Sequence, residues 1–179
     1  TILFTSGIVA FLSIPIWWII SNNIGKKLTW LTSSSITLIA LMIFYLYEIE
    51  TLIELLFLVA FIGFGSGAGG ILFWSMLPDT IEYGEVHTGV RSESSLYGFM
   101  TFAQKGSIAF AIIILGIVLD FIGFQANEIQ SEATIDNMKA IMTLIPSIGV
   151  ALSLVIIYFY PIDAKMHKDL LRQLQEANK

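Results

Sequence analysis

The 179-residue sequence has no cysteine, which excludes a disulfide framework and any thiolate metal site. Charge is scarce as well. Only 13% of residues are charged, where a soluble domain carries about a quarter. Histidine occurs twice, as His87 and His167, far apart in the chain. No H-E-x-x-H, G-x-S-x-G, phosphate-binding loop or carboxylate–histidine cluster is visible, so no constellation for enzyme catalysis is expected. There is no basic leader of the secretory type either, because apolar sequence begins at Ile2. The chain opens on Thr1 rather than Met, and is expected to be the C-terminal part of a longer polytopic protein.

What the sequence has instead is apolar length. Hydrophobic residues make up 56%, and five runs cover about residues 2–20, 28–47, 52–77, 94–124 and 138–160. Each is long enough to cross a hydrocarbon core of roughly 30 Å. The reading is an all-α membrane protein. Residues 1–160 form a transmembrane bundle, and 161–179 form an amphipathic tail with Met166, Leu170, Leu171, Leu174 and Ala177 along one side.

The net charge of −5 does not describe one acidic surface, because the cations sort by side. Lys26, Lys27, Arg91, Lys165, Lys168, Arg172 and Lys179 fall in regions that alternate spans place on one face. Only Lys139 lies near the other, and Lys105 is inside a span. Basic loops face inward, which predicts a cytoplasmic C-terminus in the cell membrane. Trp17 and Trp18, and Trp30 on the next span, suit an interfacial belt.

Lys105 is the most informative residue. It lies eleven residues past Ser94, roughly 16 Å along a helix, about halfway through the bilayer. A lysine stem cannot reach water from there, so the ammonium needs a polar cavity or a carboxylate. Tyr97, Thr101 and Lys105 recur every four residues and share one helical stripe, with Gln104 beside it. No acid within the five spans lies at that depth; Glu54 and Asp120 sit near the outer ends. The partner is therefore expected outside this chain, or in an anionic ligand. Between the third and fourth spans runs a dense polar stretch read as a loop, residues 78–93. Its Glu85, Arg91 and Glu93 are of opposite sign and close in sequence, which suits an ion-pair latch.

In the third span, Gly65, Gly67 and Gly70 match G-x-G-x-x-G, but no strand precedes them and no βαβ unit surrounds them. The glycines read as a smooth surface for close helix approach.

The run WSMLPDTIEYGE from Trp74 to Glu85, followed by Thr88, Gly89, Arg91, Glu93, Tyr97, Phe102, Gln104 and Lys105, resembles the glycoside–pentoside–hexuronide:cation symporters of the major facilitator superfamily. The resemblance implies a twelve-helix fold in two pseudo-symmetric halves, of which these spans would be helices eight to twelve. It implies that Lys105 and Thr101 line the cation and sugar site. It also implies that Asp79, Glu85 and Arg91 belong to a cytoplasmic gate, with Glu93 beside them. The function implied is symport of a sugar or glycoside with Na+ or H+ by alternating access. No cofactor is expected; the coupling cation would be bound mainly by residues outside this chain. The expected partners are the N-terminal half, the lipid bilayer and the sugar, with no nucleic acid. Alternative readings are a lipid or amphiphile carrier of the same superfamily, or a non-transporting scaffold or remnant.

Overall fold

The computed structural model describes the backbone of residues 2–177 and the side chains of residues 4–176. Thr1, Lys179 and the side chain of Ala177 lie outside the described residues. Among the described residues six helices follow one another: α1 (Ile2–Ile24), α2 (Lys26–Leu46), α3 (Leu52–Thr88), α4 (Glu93–Phe121), α5 (Glu132–Tyr158) and α6 (Ala164–Ala177). The first five are long and apolar enough to cross a membrane. The chain is an all-α, multi-pass membrane protein.

The helices are longer than the apolar runs, and the connections are correspondingly shorter. α1 and α2 are separated by Gly25 alone, whose φ of 86° is a conformation glycine adopts without penalty. The polar stretch from Pro78 to Thr88, expected as a loop, continues α3 as helix. It contains no helix stop after Pro78 until Gly89, which closes the helix in the left-handed conformation with φ 71° and donates its N–H to the Glu85 carbonyl. Polarity here marks the exit from the apolar core, not the end of the helix. α5 likewise begins at Glu132 instead of Met138, because the Ser131 hydroxyl caps it by accepting from the Thr134 N–H.

α3 is the central helix and packs against both α1 and α2; α2 also packs on α5. The glycine run makes this possible. A Cβ on Gly63 would lie 2.5 Å from the Ser6 carbonyl oxygen of α1, and one on Gly67 would collide with the Ser13 hydroxyl. A Cβ on Gly65, on another face, would collide with the Thr37 hydroxyl of α2. Two sides of the same glycine segment therefore hold two neighbours at backbone contact. The bared Phe64 carbonyl accepts the Trp17 indole N–H at 2.7 Å and the Ser13 hydroxyl at 3.5 Å. Trp17 is thus buried in the core with Ala68, Leu72 and Met76, and not in an interfacial belt. Trp18, exposed on the same helix, keeps a surface position. Trp30 also bridges helices, donating to Ser153 of α5 at 2.8 Å.

Gly63→Val is expected to destabilise the protein by roughly 1–3 kcal/mol, since the obstruction is backbone and cannot rotate away. Gly69→Ala, with open space at its Cβ, is the control and should be near neutral. Thermal unfolding of both variants in detergent checks the pair.

Candidate functional site

α4 differs from the other spans. None of its residues is buried, and its one substantial contact is with α3. Its polar stripe forms as the spacing requires, with Tyr97, Thr101 and Gln104 half-buried and Lys105 exposed. The Thr101 hydroxyl donates to the Tyr97 backbone carbonyl at 2.8 Å, which satisfies it within the helix. Lys105 makes no ion pair among the described residues.

The residues grouped as a gate separate into two sets. Arg91 bridges the α3–α4 turn, with Nη1 2.8 Å from Glu85 and Nε 3.1 Å from Glu93. Glu85 lies in the last turn of α3 and Glu93 begins α4, so this clasp links the two helices across the Gly89 turn. Hydrogen bonds to Glu85, then to Glu93, push the Arg91 guanidinium further up from its ordinary range, so it is charged at any accessible pH. The clasp is exposed to water, and exposed pairs contribute about 0–1 kcal/mol each. In the symport that the sequence resemblance implies, Arg91→Ala is therefore expected to change transport rate more than equilibrium solute binding, as separate rate and binding measurements on the full-length protein would show. A large loss of binding with normal turnover would instead place Arg91 in the binding site.

Asp79 is not part of that clasp. It is 5% exposed and sits nearly two helical turns further into α3. Lys26, the first residue of α2, donates to both of its oxygens at 2.7 and 2.8 Å and to the Ser75 carbonyl at 2.7 Å. Pro78 has no N–H for the neighbouring Trp74 carbonyl, so the ammonium docks where the helix's own bonding is weakened. His167 of α6 completes the group, its Nε2 3.3 Å from Asp79 Oδ1 and 3.3 Å from Glu82 Oε2. The latter is close enough for an ion pair but lacks hydrogen-bond alignment, and Glu82 Oε2 is buried without a hydrogen-bond partner. Alongside, the Tyr160 hydroxyl meets Thr80 at 3.3 Å. Burial raises the phenol's titration, against the lowering effect of the Thr80 bond, with the charge of Asp79 adding to the rise; it stays neutral at physiological pH.

A carboxylate–histidine cluster therefore exists, contrary to the expectation from sequence. Its members are 79, 82 and 167 in the chain, and only the return of α6 onto α3 unites them. The one local signal was the i, i+3 spacing of Asp79 and Glu82, which puts both on one face of a helix once the stretch is read as helix. Lys26 gave no signal at all. The three donors lie within 4.8 Å of one another, a spacing a metal ion can bridge. The Lys26 ammonium, however, already holds both Asp79 oxygens, so a cation occupies that position and the arrangement is an ion-pair junction.

Lys26, Asp79, Glu82 and His167 lie at the end of the bundle where Lys27, Arg91, Lys165 and Lys168 also fall, here termed the basic end. Lys105 lies along α4 away from that end. The bundle thus carries two polar features, a junction that ties helices and a stripe with an unpaired cation.

Comparison with known proteins agrees with this architecture. The profile of the MFS/sugar transport protein family matches residues 1–164. The chain is 36% identical over 115 residues to the uncharacterized symporter YnaJ of Bacillus subtilis (strain 168), covering 64% of this chain and 25% of that protein. It is 30% identical over 157 residues to the glucuronide carrier protein homolog of Escherichia coli (strain K12), covering 88% and 34%. A putative sulfoquinovose importer of the same organism is 31% identical over 158 residues, covering 87% and 33%. The chain spans between 25% and 34% of the length of these curated relatives. With five apolar spans, a glycine-lined central helix and a family match running across nearly all of them, the chain belongs to the MFS/sugar transport protein family.

Proposed function

We propose that this chain forms part of a secondary transporter that moves a sugar or glycoside together with Na+ or H+ by alternating access. The observation that carries the reading is α4: a spanning helix with no buried residue and a polar stripe ending in an unpaired lysine. A charge at that depth is retained where it faces a polar pathway or a carboxylate. In this reading further helices of the same protein, its N-terminal half, cover the stripe, and Tyr97, Thr101, Gln104 and Lys105 line the solute path. Relatives named as a glucuronide carrier homolog and a putative sulfoquinovose importer support an anionic sugar derivative as solute, which a lysine suits. The coupling cation is bound mainly by residues outside this chain. Rocking of the two halves then exposes the site to each side in turn. The Glu85–Arg91–Glu93 clasp, with Asp79 at its own junction, belongs to the gate at the basic end, which is cytoplasmic in the cell membrane.

Uptake into vesicles tests the function. Uronides, sulfonated sugars and neutral glycosides are offered with an imposed Na+ or H+ gradient; accumulation that collapses with the gradient supports symport, and gradient-insensitive equilibration of every solute overturns it. Orientation is tested separately. Single cysteines at Ser131 and Gln173 should react from outside and only from inside, respectively; reversed labelling would invert the orientation.

A further inference from the structure

We propose that α6 is a pH-sensitive strap, held across the basic end of the bundle by protonated His167. α6 reaches three elements at once. Ala164 touches the α1–α2 hinge, where a Cβ on Gly25 would lie 2.9 Å from its own Cβ. Leu170 is buried at 3% exposure, and just before the helix Ile162 is buried at 4%. His167, between these apolar anchors, meets Asp79 and Glu82 of α3. The start of α6 is fixed locally, since Asp163 Oδ1 accepts from the Lys165 and Met166 N–H groups. Its attachment to the bundle therefore depends on the apolar anchors and on His167.

The charges around His167 determine the sign. From α3 it faces Asp79 and Glu82, and from α2 Lys26, whose ammonium is committed to Asp79. Asp163 and Lys168 line the same cleft, while His87, Lys165 and Asp169 lie in the adjoining groove between α3 and α6. Tyr160 is nearby and neutral. Two buried or half-buried carboxylates thus face one ammonium, and Glu82 Oε2 has no hydrogen bond. A cationic imidazole offsets the excess negative charge of the two carboxylates that its Nε2 faces at 3.3 Å; a neutral imidazole can still donate one N–H but leaves that charge uncompensated. Docking is accordingly favoured below the pH 5–8 interval in which an imidazole changes charge, and is weakened as pH rises through it. The strap does not depend on which solute is carried.

The test uses the full-length protein in liposomes with spin labels at His87→Cys and Gln173→Cys, on either side of the groove. The first substitution also leaves His167 as the only imidazole of this chain. Double electron–electron resonance should show one short distance dominating at pH 5.5. A longer, broader population should grow at pH 8, with the docked-to-free ratio falling about fivefold, scaled for a partly exposed pair. His167→Gln should remove the pH dependence, and His167→Lys should keep the short distance at both pH values. Glu82→Gln should weaken the response while sparing the Lys26–Asp79 pair. A distance distribution that ignores pH in the parent protein overturns the proposal, as does a response that survives in His167→Gln.

Discussion

Lys105→Ala in the full-length protein is expected to abolish gradient-driven solute accumulation, a loss of at least about tenfold, with insertion and expression near normal. The asymmetry follows from where the residue lies. An alanine is easier to place in the middle of a span than a lysine, so the fold is not penalised. Among the described residues Lys105 has no acidic partner, so nothing within this chain is orphaned by its removal. In the proposed symporter, what is orphaned is the group that Lys105 faces from the other half. A buried carboxylate deprived of its cation faces a penalty of several kcal/mol and takes up a proton or an extra metal cation instead. Coupling should therefore fail before binding does. Lys105→Arg should rescue poorly, because a planar fork does not replace a compact ammonium. Accumulation and its cation dependence in vesicles decide the matter: wild-type accumulation by Lys105→Ala would make the lysine structural.

Asp79→Ala should produce the largest loss of stability at the basic end. The aspartate is almost fully buried and holds the Lys26 ammonium with both oxygens. Breaking a fully buried pair costs about 3–5 kcal/mol; because the Lys26 side chain is 30% exposed, water recovers part of that, leaving roughly 1–3 kcal/mol. For a chain of this size that corresponds to a drop in Tm of roughly 3–10 °C. The double variant Lys26→Met with Asp79→Leu should regain most of the loss, since an apolar pair of similar volume often replaces a buried ion pair without net cost. Thermal unfolding of the two single variants and the double in detergent gives the coupling directly. Additive losses would show that the two residues do not act as a pair.

The sequence carried the spans, because an apolar run of twenty residues has few other physical meanings, and it carried the α4 stripe, because a four-residue spacing on a helix leaves one geometry. The Arg91 clasp was also legible, since its three members lie within nine positions of one another. Two kinds of feature were not. Helix ends are one: residues 78–88 and 132–137 are polar yet helical, and only Gly89 and Ser131 carry true boundary signals. The place of Trp17 is the other, since its position near a helix end suits the interface as well as the core. Its burial depends on the bared Phe64 carbonyl fifty residues away, which no local pattern reveals. The junction of Lys26, Asp79, Glu82 and His167 failed to appear for the same reason, being assembled from three helices.

α3 has one further consequence, a mechanical one. Its 37 residues form a single helix about 55 Å long, well beyond the thickness of the apolar core. Glycines grip its inner portion against two neighbours, while its far end carries Asp79, Glu82 and Glu85 clear of that grip. Such a rod behaves as a lever with its fulcrum at the glycine segment. A tilt of 10° about that point swings a tip roughly 30 Å away by about 5 Å. At Asp79, about 19 Å from the fulcrum, the same tilt gives about 3 Å, comparable to the 2.7 Å Lys26–Asp79 separation, so a small rotation among tightly packed helices suffices to break that pair.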